Sequence, residues 1–140
     1  MSRTVRHLFV YLALAQASGR RQRPFVRDRL LALAGAIAAE MEMRAIAAYC
    51  RHLVLAHNPG HQMRRWATME EAVDHLDFLH LLVSIERRYP LERAETLLER
   101  MELRPQHDRN DYASDEEFAA SLLDTTWPKL RAWYEETQNG

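Results

Sequence analysis

Apolar residues recur three and four positions apart in segment after segment of this sequence, and nowhere do they alternate with polar residues over the length of a strand. A chain patterned this way must bury helix faces against one another. Glycine is scarce, with four in 140 residues (Gly19, Gly35, Gly60 and Gly140), which argues against Gly-rich phosphate loops and against the tight hairpins of sheet proteins. The apolar share of 47% and the charged share of 28% are those of a globular chain long enough to bury a core. The expected fold is all-α, a single domain over 1–140, with about seven to eight short helices in an irregular or orthogonal bundle and no sheet.

Local signals divide the chain. Val5, Leu8, Phe9 and Leu12 share a helical face, so the helix expected from about Thr4 to Ala17 is a packed one, although the apolar run and Ala15-Gln16-Ala17 mimic a signal peptide. Pro24 suits the first turn of a helix reaching about Met41, in which Ala32, Gly35, Ala36 and Ala39 form a small-residue face that lets another helix come close. A third helix runs from about Met43 to His57, burying Ile46, Tyr49, Cys50, Leu53 and Val54, and Asn58-Pro59-Gly60 ends it. Thr68-Met69-Glu70-Glu71 and Ser114-Asp115-Glu116-Glu117 are capping boxes, each opening a helix. Phe78, Leu81, Leu82, Ile85 and Tyr89 mark a fifth helix, and Pro90 starts a sixth with Leu91, Ala94, Leu98 and Met101. Residues 104–113 are polar and are expected to form a long loop. No run approaches a membrane span, so no membrane partner is expected.

Charge is divided between the two halves. Up to Ala67, eleven arginines face three acids, a net +8; from Thr68 onward, seven arginines and one lysine face seventeen acids, a net −9. The halves can neutralise one another within the fold or across a dimer, or the basic half can meet an anionic partner such as nucleic acid. The whole-chain charge of −1 favours neutralisation, because nucleic-acid domains are usually basic overall.

The segment AHNPGHQMRRWATMEEAVDH, residues 56–75, concentrates candidate chemistry. His52, His57 and His61 resemble a ligand set, but His52 and His57 lie about 140° apart on a helix, and zinc needs three or four converging ligands. Glu71 with His75, and Asp77 with His80, offer acid–base or metal pairs, although acids in a first helical turn are expected from the helix dipole alone. Trp66 can pack onto the following helix, or stack on a base beside Arg64 and Arg65. Cys50 is the only cysteine, which excludes an internal disulfide and a multi-cysteine zinc site and suits a reduced, cytoplasmic compartment. No catalytic motif, metal set or cofactor-binding signature emerges, and no cofactor is expected.

Residues 118–136 resemble a helix-turn-helix unit. Ala120, Leu123, Thr126, Leu130 and Trp133 fall where such units place a small residue, a leucine, a capping hydroxyl and two core residues. The resemblance implies a recognition helix presenting Trp127, Lys129 and Arg131, but Asp124 replaces the turn glycine and Thr125 the apolar turn residue. The expected function is therefore non-enzymatic protein–protein contact, with a protein partner or by self-association. The alternative is nucleic-acid binding through Arg20, Arg21, Arg23, Arg64, Arg65, Trp66, Lys129 and Arg131. A metal-dependent enzyme using His75, Asp77 and His80 is a third expectation.

Overall fold

Two helices of this chain are apolar all round, and they form its centre. The computed structural model describes residues 3–139. Helix α1 (Val5–Arg20) buries every residue from Leu8 to Ala15, and α2 (Pro24–Glu40) buries every residue from Leu30 to Ala39. A helix without a polar face has no position but an interior one. Helix α2 packs along both α1 and α3 (Arg44–His57). The shorter helices wrap this trio: α4 (Met69–Ala72), α5 (Leu76–Arg88), α6 (Leu91–Arg100), α7 (Pro105–Asp108), α8 (Asp115–Leu122) and α9 (Trp127–Asn139). Helices α4 and α5 cover α2; α6, α7 and α8 cover α1; α9 lies on α3 and α8. The described residues thus hold nine α-helices and two 3-10 turns (Gln62–Arg65 and Arg109–Asp111), with no strand, and the buried apolar side chains form one core.

The small-residue face of α2 works as close packing requires. A Cβ placed on Gly35 would stand 2.6 Å from Met69 Cε and 3.0 Å from Cys50 Cβ. Met69 can yield, but the α3 backbone that carries Cys50 resists. Gly35→Ala is expected to destabilise the fold by about 1–3 kcal/mol, against the usual gain of alanine in a helix. Chemical denaturation of both proteins checks this, and a gain in stability would show that α2 and α3 are not in tight contact.

Both capping boxes form. Thr68 Oγ1 accepts from the Glu71 amide at 3.1 Å and Ser114 Oγ from the Glu117 amide at 3.1 Å, while Glu71 and Glu117 reach back to the amides of Ala67 and Ala113. Four helices end in the same unexpected manner. Gln22, Glu42, Glu102 and Asp124 each adopt φ near +60°, and the next residue's amide bonds back five residues, as in Arg23 to Ser18 and Leu103 to Leu98. These are Schellman ends, where glycine is the usual left-handed residue.

The expected loop at 104–113 is a correction. It contains α7 and the second 3-10 turn, because Pro105 opens a helical turn and is buried against α1. Arg109 then ties the segment down, donating to Asp115 Oδ1 and the Tyr112 carbonyl, both at 2.8 Å. Helix α1 runs three residues past its expected end, carrying Gly19 within its last turn.

Candidate functional site

Four of the eleven arginines of the basic half meet acids of the other half. Arg3 pairs with Glu86 as well as with Glu40, Arg6 with Glu95, Arg20 with Asp124 at 3.2 Å, and Arg65 with Asp77 at 3.3 Å. Exposed pairs of this kind add little stability, but they orient the two halves and quench the field of the basic half. Of the candidate anion contacts, Arg20 and Arg65 are engaged in this way, Arg131 pairs with Glu135 at 3.1 Å, and Arg64 donates to the Pro59 carbonyl at 3.4 Å. Trp66 is 6% exposed, its ring stacked on His75 and packed against Phe78, so its faces are not offered to a base. Arg21, Arg23 and Lys129 are exposed, and among the described residues no ion pair holds their side chains.

The histidines separate into distinct structural roles. His52 packs between Tyr49 and Trp133. His57, in the last turn of α3, places Nδ1 2.5 Å from Oδ2 of Asp28, which is 2% exposed and also accepts from Arg27 Nη2 at 3.3 Å. His61 Nδ1 accepts from the Met63 amide at 3.1 Å and caps the first 3-10 turn. His75 precedes α5 and lies on Trp66; Asp77 and His80 are exposed on α5. Among the described residues, no three histidine, cysteine or acidic side chains converge as a metal-binding group. Cys50 is fully buried, and burial pushes its thiol up to about 12, which removes it as a nucleophile.

Burial holds the His61 imidazole below the usual histidine value, while the Asp28 carboxylate pulls it upward. The unfolded chain therefore takes up this proton more readily than the folded one. The His61 contribution to stability is complete above the ordinary histidine pKa and shrinks as pH falls toward the depressed folded value. His61→Asn keeps an acceptor for the Met63 amide and removes the titration. Its stability is expected to fall less than that of the parent between about pH 7 and about pH 5, as thermal melts across that range would record. Parallel curves for the two proteins would remove His61 as the source.

Four of the five helix-turn-helix positions are occupied as their residue types suggest, Thr126 Oγ1 accepting from the Lys129 amide, but Trp133, expected in the core, is only half-buried. Ala120, Leu123 and Leu130 are buried, and Asp124 supplies the left-handed turn that glycine usually makes. Asp124 also accepts from Gln16 at 2.9 Å, which fastens the turn to α1. Helix α9 leans on α3 through Trp133, whose ring meets Tyr49 edge-on at 5.1 Å.

The least expected surface is the outer side of α5. Phe78, Leu82 and Ile85 face the core, while Leu76, Leu79 and Val83 are 65%, 39% and 50% exposed. At 100° per residue, Leu76 and Val83 lie opposite the buried set and Leu79 flanks them. Asp74 and Asp77 stand at the N-terminal end of this stripe, and Arg87 and Arg88 at its C-terminal end, all exposed. A second exposed feature is the α1–α2 turn and the start of α2, where Arg21, Arg23 and Arg29 are exposed and Phe25, 63% exposed, meets His57 edge-on at 5.1 Å. No helix among the described residues is long and apolar enough to cross a membrane. No family model, curated protein or solved structure matches the chain. The class that fold and surface define is a helical bundle with an unpartnered apolar helix face.

Proposed function

We propose that the protein acts by protein–protein contact, self-associating through the outer face of α5. The observation that carries this reading is the stripe Leu76, Leu79 and Val83, opposite the core residues of the same helix. Scattered exposed apolar residues need no explanation, but three on one face of one helix resemble the seam of a helix pair. The charges select the occupant. In an antiparallel pair of α5 helices, the acidic end of one copy meets the basic end of the other, and the helix dipoles oppose favourably. The same patch serves both partners, as a two-fold contact requires.

Sedimentation velocity over a concentration series tests the reading. The parent protein is expected to dimerise, and the double variant Leu79→Glu, Val83→Glu to remain monomeric with unchanged helicity, since both side chains are exposed. Asp74→Arg and Arg87→Glu should each weaken self-association, and mixing the two variants should restore it. A parent protein that stays monomeric throughout the series would reject self-association.

A second reading rests on the α1–α2 turn. Three exposed arginines and an exposed phenylalanine form a small basic and aromatic surface of the type that holds single-stranded nucleic acid. Fluorescence anisotropy of labelled single-stranded RNA and duplex DNA, at low and physiological salt, tests it. Binding should weaken steeply with salt and disappear in Arg21→Glu, Arg23→Glu; no binding at low salt rejects it.

A further inference from the structure

Helix α3 floors a cleft of about 370 Å³, with the start of α4 as one wall and the C-terminal half of α9 as the other. That volume lies near the lower end of the roughly 300–1,000 Å³ range of small-molecule sites. Two opposite charges line it, Arg51 from α3 and Glu70 from α4. Each leaves one buried atom without a hydrogen-bond partner: Nε of Arg51 and Oε1 of Glu70. Arg51 Nη2 is committed to the Trp66 carbonyl at 2.8 Å. Among the described residues, neither charge forms an ion pair, with the other or with any third group. They are therefore held more than 4.0 Å apart across the cleft. Burial also pulls the Arg51 pKa down, with Glu71 opposing, so the cation is partly desolvated without a contacting carboxylate. A guanidinium and a carboxylate that line one cleft, each partly withdrawn from water and neither paired, call for a ligand that supplies both complements.

The remaining lining sets the body of that ligand. Trp133 and Tyr134 of α9 line it together with Leu55 and Met69. Trp133 is held in place by Tyr49 and by His52, whose ring centroid is 5.0 Å away. An aromatic wall fixed in this way suits an apolar or planar group.

We propose that this cleft binds a small zwitterion, its carboxylate on Arg51, its ammonium on Glu70 and an apolar or aromatic body against Trp133: the chemistry of a free α-amino acid. The site is separate from the outer face of α5, and none of Leu76, Leu79 or Val83 lines it.

Isothermal titration of the full chain with L-phenylalanine, L-tryptophan and L-leucine tests the proposal. Two truncated ligands accompany them: phenethylamine, which lacks the carboxylate, and 3-phenylpropionate, which lacks the ammonium. L-Phenylalanine is expected to bind at least about tenfold more tightly than either, because each truncation leaves one half-buried charge unpaired. Arg51→Gln should erase the preference over phenethylamine, and Glu70→Gln the preference over 3-phenylpropionate. Because Arg51 also bonds the Trp66 carbonyl, its variant can fail to fold; the near-isosteric Glu70→Gln, with the same ligand pair, then decides alone. The proposal is overturned if no amino acid binds at millimolar concentration, or if Glu70→Gln leaves the preference over 3-phenylpropionate unchanged.

Discussion

Phe78→Ala is expected to cost about 3–5 kcal/mol, the loss typical of removing a fully buried aromatic ring. The ring has no exposed surface and packs against Trp66, which itself stacks on His75. A cavity at this place loosens α5 from α2, and with it the first 3-10 turn that carries Trp66. The midpoint of thermal unfolding should drop by roughly 10–20 °C for a chain of this size. The contrast with Leu79→Ala is the informative one. Leu79 lies on the same helix one residue further on, but it is 39% exposed, and its loss should leave the monomer's stability nearly unchanged while weakening self-association. Equal losses at the two positions would mean that α5 has no free outer face.

Asp28→Ala carries the second large effect. Asp28 is buried at the N-terminal part of α2 and joins α2 to the last turn of α3 through His57. Removing it leaves Arg27 Nη2 with only the Leu53 carbonyl at 3.3 Å, beside a buried Nε that already lacks a partner. The expected loss is about 2–4 kcal/mol, somewhat below that of a fully buried pair because Arg27 and His57 retain partial access to water. Asp28→Asn should lose less, since its amide oxygen still accepts from Arg27. Urea unfolding of the three proteins checks the order, and an unchanged Asp28→Ala midpoint would show that this cluster holds nothing together.

Much of the architecture was legible locally. The two capping boxes, and the prolines at the starts of α2 and α6, act within a single turn of chain, so their residues mark helix starts without tertiary information. The small-residue face of α2 was legible for a similar reason: spacing alone places Gly35 and its alanines together. The Schellman ends were not. Gln22, Glu42, Glu102 and Asp124 carry no glycine signal, and each is held in its left-handed conformation by the helix it ends and the chain that follows. The segment 104–113 was misread for the same cause, since its order comes from Arg109 bonds and from the burial of Pro105 on α1.

The candidate surfaces divide along the same line. Arg21 and Arg23 are exposed as their polar turn suggested, whereas Trp66 was placed only by Phe78 and His75 closing over it. The core side of α5 was legible in the spacing of Phe78, Leu82 and Ile85, whereas the stripe of Leu76, Leu79 and Val83 on its outer side emerged only once that face was seen to have no cover. The cleft between α4 and α9 has no sequence signature, because Arg51, Glu70 and Trp133 are distant in the chain. By itself the sequence determined that the chain is helical, where most helices begin, and that its charge is split, since propensity, capping and composition act over a few residues. Only the tertiary structure decided which arginines meet acids, that no other helix covers the outer face of α5, and which opposite charges line one cavity without pairing. Those outcomes depend on contacts between segments tens of residues apart, and periodicity carries no information about them.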